Sequence, residues 1–356
     1  MKPSEKSYNR IVIKIGSSIL HTDTASPESL AYPASGLTQQ VSELIASGKE
    51  IIIVSSGAIA LGMSVLKMKF RPRQLSSLQA VAAVGQHLLM SQYRSFFAKE
   101  GLNCAQVLLT RDDFANRQRY LNAKNTLLEL LKLGVVPIIN ENDTISTDEI
   151  KFGDNDRLSA LVATLINAGL LIILSDVDGL LDKEKKVIRV VEGITPAIKS
   201  LVRPTAKKTC VGGMVTKIEA AKIAVDSGIP CVVANGRAKD ILLSVAREPA
   251  AAGTLFIPKK ARRAKEHWLA FGAKPKGNIT LDDGAKDALL AKKSLLAVGV
   301  IAVEGDFKAG DIVGIRDKAA CEFAKGKVRL SSLELEKVMG RRAPKEVAHR
   351  DNIVIL

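Results

Sequence analysis

Along the first 258 residues, short apolar runs, polar turns and longer amphipathic stretches follow one another in a regular rhythm. Arg10–Ile15 (RIVIKI) and Glu50–Ser55 (EIIIVS) are continuous β-branched runs, the pattern of strands buried on both faces of a parallel sheet. Further strands are predicted at 104–109, 135–140, Leu170–Ser175 and 230–234. Helical spacing predicts helices at 37–47, Leu75–Lys99, 122–132, 157–167 and 218–227, with one more after Ser56-Gly57-Ala58. Strand, loop and helix in turn predict an α/β fold built on a doubly wound, mostly parallel sheet.

Past Pro258 the rhythm shortens. Lys259-Lys260-Ala261-Arg262-Arg263-Ala264-Lys265 opens a basic linker at 259–274. Short strands at Gly277–Leu281, 295–304, 311–316 and 326–330, with one helix at 284–291, predict a small, mostly β domain at 275–356. The first domain is expected to occupy 1–258.

Composition narrows the class. The 356 residues are 47% apolar and 25% charged, which is globular rather than disordered. Met1-Lys2-Pro3-Ser4-Glu5-Lys6 is not followed by a secretory apolar segment, and no run has the length of a membrane span. Cys104, Cys210, Cys231 and Cys321 are scattered without paired spacing, so reduced thiols and a cytoplasmic location are expected, with no thiolate metal site. The formal charge is +15, and residues 259–356 hold 21 Lys/Arg against 13 Asp/Glu, or +8 of it. Such an excess draws anions and, when clustered, nucleic acid. Aromatics at 4% supply little for base stacking, so RNA binding has weak support and the charge reads chiefly as solubility and steering.

Two glycine-containing turns carry the candidate chemistry. Val211-Gly212-Gly213-Met214-Val215-Thr216-Lys217 lets backbone approach a ligand closely, just where a helix start presents unpaired N–H groups and its positive dipole end. Lys14 lies inside an apolar strand that ends in Gly16-Ser17-Ser18. Together the turns would grip a polyphosphate from two sides. In an open parallel sheet ligands bind beyond the carboxyl ends of the strands, which here are followed by 16–18, 56–58, 141–156 and 175–179. The third of these loops is dense in acids and amides: Asn140-Glu141-Asn142-Asp143, then Lys151-Phe152-Gly153-Asp154-Asn155-Asp156. One helix cap, worth about 1 kcal/mol, uses a single such residue. The remainder suits an amino-acid substrate, with a carboxylate for its ammonium and amides for its carboxylate. Asp176 and Asp178, before Gly179, read as turn residues rather than metal ligands.

The segments Val12-Ile13-Lys14-Ile15-Gly16-Ser17-Ser18, Val54-Ser55-Ser56-Gly57-Ala58-Ile59-Ala60, Ala82-Ala83-Val84-Gly85-Gln86, Leu108-Leu109-Thr110-Arg111, Ile139-Asn140-Glu141-Asn142-Asp143, Gly153-Asp154-Asn155-Asp156-Arg157 and Gly212-Gly213-Met214-Val215-Thr216-Lys217 resemble the amino acid kinase family, on the side of its glutamate 5-kinases. Gly277-Asn278-Ile279-Thr280-Leu281-Asp282-Asp283-Gly284-Ala285 and Gly305-Asp306-Phe307-Lys308-Ala309-Gly310-Asp311 are similar to a PUA module, a small mostly-β barrel. The resemblance implies ATP-dependent phosphorylation of the γ-carboxylate of L-glutamate, the opening step of proline biosynthesis, with Mg²⁺ carried on the phosphates and no protein metal ligands. It implies Lys14 and Lys217 as the cations on the transferring group; Asp154 either orients them or caps the following helix. Ser56, Asp143 and Asn155, with the backbone of Gly57 and Ala58, are expected to hold glutamate. Lys14, Ser175, Asp176, Val211, Gly212, Gly213, Met214, Val215, Thr216 and Lys217 are expected to hold ATP. Val211 and Val215 stand where relatives often have threonine or a small residue, and the short stretch after Gly179 leaves the adenine side open. Proline as feedback inhibitor and a homodimer or homotetramer are further expectations. Two alternatives stay open: a sister kinase acting on N-acetylglutamate or aspartate, and an RNA-binding PUA protein with a degenerate kinase domain.

Overall fold

A computed structural model of the chain describes residues 8–20, 31–146, 155–202, 213–258, 269 and 275–356. The chain divides into two compact units, 1–113 with 118–261, and 262–356 with 114–117. Most of the linker 259–274 lies outside the described residues.

The first unit is built on eight strands: β1 Arg10–Ile15, β2 Glu50–Ser55, β3 Asn103–Leu109, β4 Val135–Glu141, β5 Leu170–Ser175, β6 Val190–Val191, β7 Cys231–Asn235 and β8 Thr254–Phe256. They lie in the order β3-β4-β2-β1-β5-β7-β8-β6. The pairings are parallel except β7 with β8. The helices are α1 Ser17–Leu20, α2 Ala31–Ala46, α3 Ala58–Val65, α4 Leu75–Lys99, α5 Arg111–Ala115, α6 Arg117–Lys132, α7 Asn155–Leu165, α8 Pro196–Ser200, α9 Met214–Asp226 and α10 Ile241–Arg247. β1, β2 and β5 are apolar along almost their whole length because both sheet faces are covered, and a single core runs from Ile11, Ile13 and Ile53 to Tyr93, Phe97 and Leu242.

Four helices begin earlier than the sequence expectation, among them α9 at Met214 rather than 218. α2 begins at Ala31 rather than 37, with Pro33 in its first turn, where a missing N–H costs no helical hydrogen bond. α6 begins at Arg117 rather than 122, and α7 at Asn155 rather than 157. The short strands β6 and β8 and helix α10 carried too few residues to show a period.

The order of strands places the site. β1 sends its chain to β2 on one side, while β5 lies on its other side, so the winding reverses at β1. The register sets Ile15 level with Ser55 and next to Leu174, and Ser175 level with Asn235. The carboxyl ends of β2, β1, β5 and β7 therefore form one edge, and the reversal opens a crevice there.

The second unit carries five strands: β9 Gly277–Leu281, β10 Val300–Glu304, β11 Ile312–Arg316, β12 Glu322–Lys327 and β13 Ile353–Ile355, in the order β10-β9-β11-β12-β13. Its own core includes Ile279, Leu281, Phe307, Val313, Ile315 and Leu335. The expected strand at 295–304 is a bridge at Leu295, a 3₁₀ turn at Ala297–Gly299 and then β10. The expected strand at 326–330 lies earlier, as β12. Among the described residues the pairings run in one file of five strands.

Candidate active site

Three charged side chains from distant parts of the chain meet at this edge. Lys14, near the end of β1, and Lys217, in the first turn of α9, are 7% and 5% exposed, and Asp156, second residue of α7, is 2% exposed. Lys14 Nζ lies 2.5 Å from Asp156 Oδ1 and Lys217 Nζ 3.2 Å from Asp156 Oδ2. The Thr216 hydroxyl lies 2.7 Å from Asp156 Oδ2 and 2.9 Å from the Gly213 carbonyl. Burial alone would push the Asp156 carboxyl up. The Lys14 and Lys217 ammoniums, with hydrogen bonds from Lys14 and Thr216, outweigh it and hold the group below the usual carboxylate range. Two ammoniums on one carboxylate leave a net positive charge in a nearly dry site, fixed in place before any ligand arrives.

Asp156 was not among the residues expected at the site. Asp154, expected either to orient the lysines or to cap the following helix, lies outside the described residues, as do Val211 and Gly212. Helix α7 is buried over almost its entire surface, including Asn155, Asp156, Ser159 and Ala160. An acid in such a helix cannot be a solvated cap and must meet buried cations.

Beside this cluster lies a relay of amides. Asn155 Nδ2 donates to the Ser55 carbonyl at 3.0 Å, to Ser56 Oγ at 2.9 Å and to Asn140 Oδ1 at 2.8 Å. Asn140 Nδ2 donates to Gln86 Oε1 on α4 at 2.7 Å, and the Glu141 N–H donates to Asn140 Oδ1 at 2.9 Å. Of the residues expected to hold glutamate, Ser56 and Asn155 are thus in direct contact, and Asn140 and Gln86 continue the same hydrogen-bonded relay. Ser55 is buried underneath, its hydroxyl 2.9 Å from the buried Tyr93 hydroxyl.

Gly57 turns the chain from β2 into α3 with φ of 110°, a left-handed conformation that glycine adopts without strain. The first intrahelical bond of α3 runs from the Leu61 N–H to the Gly57 carbonyl. The N–H groups of the preceding first turn therefore have no helical acceptor and are available to a carboxylate. Asp143 stands near Arg71. Burial pushes its carboxyl up to about 6, the Arg71 guanidinium acting in the opposite direction. Burial likewise lowers Arg71, with Asp143 opposing it.

The opposite side of the crevice is formed by β5, β7 and α9. Ser175 ends β5, and its hydroxyl lies 3.2 Å from Asp176 Oδ1. Asp178 accepts from Asn235 Nδ2 at 2.9 Å, which ties the loop after β5 to the end of β7. Gly213 is the N-cap of α9 and makes no side-chain cap, so the first turn of Met214, Val215 and Thr216 presents backbone N–H groups. Among the described residues no cluster of three or more His, Cys, Asp or Glu side chains is placed to hold a metal ion. No helix among them is long and apolar enough to cross a membrane.

The amino acid kinase family model matches residues 9–235 and the PUA domain model residues 277–349. The chain belongs to the amino acid kinase family, with a PUA domain behind the kinase region. Its similarity extends almost end to end to particular members. Glutamate 5-kinase of Thermoanaerobacter sp. (strain X514) is 43% identical over 366 residues, covering 98% of each chain. Glutamate 5-kinase of Geobacter sulfurreducens is 44% identical over 367 residues, covering 98% of this chain and 97% of its own. Glutamate 5-kinase of Methylococcus capsulatus is 43% identical over 366 residues, covering 97% of each.

Proposed function

We propose that the protein transfers the γ-phosphoryl group of ATP to the γ-carboxylate of L-glutamate, giving L-glutamyl 5-phosphate and opening proline biosynthesis. The observation that carries this reading is the buried Lys14–Asp156–Lys217 cluster beside the Asn155–Ser56 contact. A carboxylate that attacks ATP is one anion approaching another, so cations must be in place beforehand. A γ-carboxylate oxygen forms the new bond to the γ-phosphorus, and the bond from that phosphorus to the β,γ-bridging oxygen breaks with its electron pair leaving on ADP. The acceptor is already ionised at neutral pH, so no general base is required.

Lys14 and Lys217 neutralise charge on the transferring group, and Asp156 fixes both ammoniums. Ser175, Asp176 and the turn 211–217 are assigned to the nucleotide. Ser56, Asp143 and Asn155, with the backbone of Gly57 and Ala58, are assigned to glutamate. Mg²⁺ is assigned to the nucleotide phosphates, where it would supply further charge neutralisation. A cytoplasmic location is assigned on the scattered, unpaired spacing of the cysteines. Proline inhibition and a homo-oligomeric state rest on the family resemblance alone; proline competition against glutamate and analytical ultracentrifugation check them.

A hydroxylamine trap tests the reaction. With ATP, Mg²⁺ and hydroxylamine, the enzyme should give a hydroxamate from L-glutamate and little from N-acetylglutamate or L-aspartate. The half-buried Asp143 carboxylate favours a free ammonium over an acylated amine. Faster turnover of N-acetylglutamate would overturn the assignment.

A further inference from the structure

We infer that Gln86 is a substrate-binding residue: its side-chain amide donates to the α-carboxylate of the bound amino acid. This rests on the amino-acid substrate proposed above.

The argument starts from two backbone groups whose hydrogen-bonding sense cannot be reversed. A backbone N–H can only donate, so the Glu141 N–H fixes Oδ1 of Asn140 as the atom facing it. Nδ2 of Asn140 then points at Gln86, and the Gln86 atom that meets it is Oε1. A backbone carbonyl can only accept, so the Ser55 carbonyl fixes Nδ2 of Asn155 as the atom facing it. That same Nδ2 meets Asn140 Oδ1, and the two ends of the relay agree. Amide orientations, otherwise a matter of assignment, are thereby set by the backbone.

The relay leaves one atom over at each end. Gln86 Nε2 and Asn155 Oδ1 are both buried, and among the described residues neither has a hydrogen-bond partner. An unmet buried donor or acceptor is costly, and native proteins rarely keep one without a purpose. The donor left over at Gln86 matches a carboxylate of the substrate.

Position decides which carboxylate Gln86 meets. Asn155 is the sequence neighbour of Asp156, which holds the two lysines, and Gln86 lies two amides further from them. The reacting γ-carboxylate belongs at the lysine end and the α-carboxylate at the other. Gly85, next to Gln86, packs so closely on α3 that a Cβ there would overlap the Ala58 carbonyl. Gln86 is thus anchored beside the first turn of α3, whose free N–H groups favour a carboxylate.

Gln86→Glu separates this role from a packing role. The substituted side chain keeps an oxygen to accept from Asn140 but replaces the Nε2 donor with a second oxygen. We expect the KM for L-glutamate to rise about ten- to hundredfold, the loss of a hydrogen bond to a charged group, with the KM for ATP and the melting temperature unchanged. An unchanged KM for L-glutamate would overturn the inference. If Gln86→Glu does not fold, Gln86→Met provides the same comparison without a charge, and a parallel rise in both KM values would show that Gln86 acts only through packing. Hydroxamate formation from L-glutamate by the unaltered enzyme is the control. Its absence would sink the proposed reaction, whereas its presence with an unaltered KM in Gln86→Glu would sink this inference alone.

Discussion

Asp156 concentrates the energetics of the site in one side chain. Its carboxylate makes two buried ammoniums tolerable, and they in turn keep it ionised. Asp156→Asn removes the charge and keeps the shape. It should destabilise the protein by about 3–5 kcal/mol, the usual result of stripping a buried ion pair of one partner, as read by chemical denaturation. Because the folded pKa is depressed, the native Asp156 contributes stability above its unfolded pKa, about 3.9, and loses it as pH falls further. Asp143 has the opposite sign. Its pKa is raised to about 6, so its contribution to stability is complete below the unfolded value and disappears as pH rises through about 6. Binding an ammonium needs the charged form. The kcat/KM for glutamate should therefore fall as pH drops below about 6, and Asp143→Asn should flatten that limb. A limb that persists in Asp143→Asn would assign the titration to another group. At this scale the sequence was a partial guide. Lys14 and Lys217 were legible because lysines inside apolar strands and at helix starts need a reason. Asp156 was not, because Asp154, two residues earlier, offers the same chemistry in the sequence, and it is the burial of α7 that shows Asp156 against both lysines.

The crossing of α3 over α4 is the element that holds the glutamate side in place. A Cβ at Gly85 would overlap the Ala58 carbonyl, and one at Gly62 would overlap the Val81 carbonyl, so the two helices meet backbone to backbone. Gly85→Ala must push them apart. Overpacking of this kind costs about 1–3 kcal/mol, and the shift should raise the KM for glutamate more than that for ATP. Thermal melts and initial rates with each substrate varied check both effects; a variant with unchanged KM values would separate the crossing from substrate binding. The strands β1, β2 and β5 were readable because burial on both faces leaves an unbroken apolar signature. β6 has two residues and β8 three, too few to carry a period. Gln86 shows the other limit: it was noted within a motif, but its role depends on which way three amides point, and backbone neighbours from β2 and β4 decide that.

On the scale of the molecule, each compact unit carries its own apolar core, and every described residue assigned to the reaction lies in the first. Removal of residues 262–356 should therefore leave glutamate hydroxamate formation largely intact. Loss of all activity would mean that the PUA region supports the kinase directly. The +15 charge identified no partner from composition alone, and steeply salt-dependent RNA binding by the full chain would give the tail a role of its own. The fold's larger accomplishment is to bring the first strand and a helix from far along the chain onto one carboxylate, where Lys14 and Lys217 act as a unit. Lys14→Met, Lys217→Met and the double variant test that directly. Each single change should lower kcat about 10²–10³-fold. The double change should fall well short of the product of the two, as groups that work together do. Either single variant retaining kcat within about tenfold of the unaltered enzyme, or two losses that simply multiply, would contradict the account.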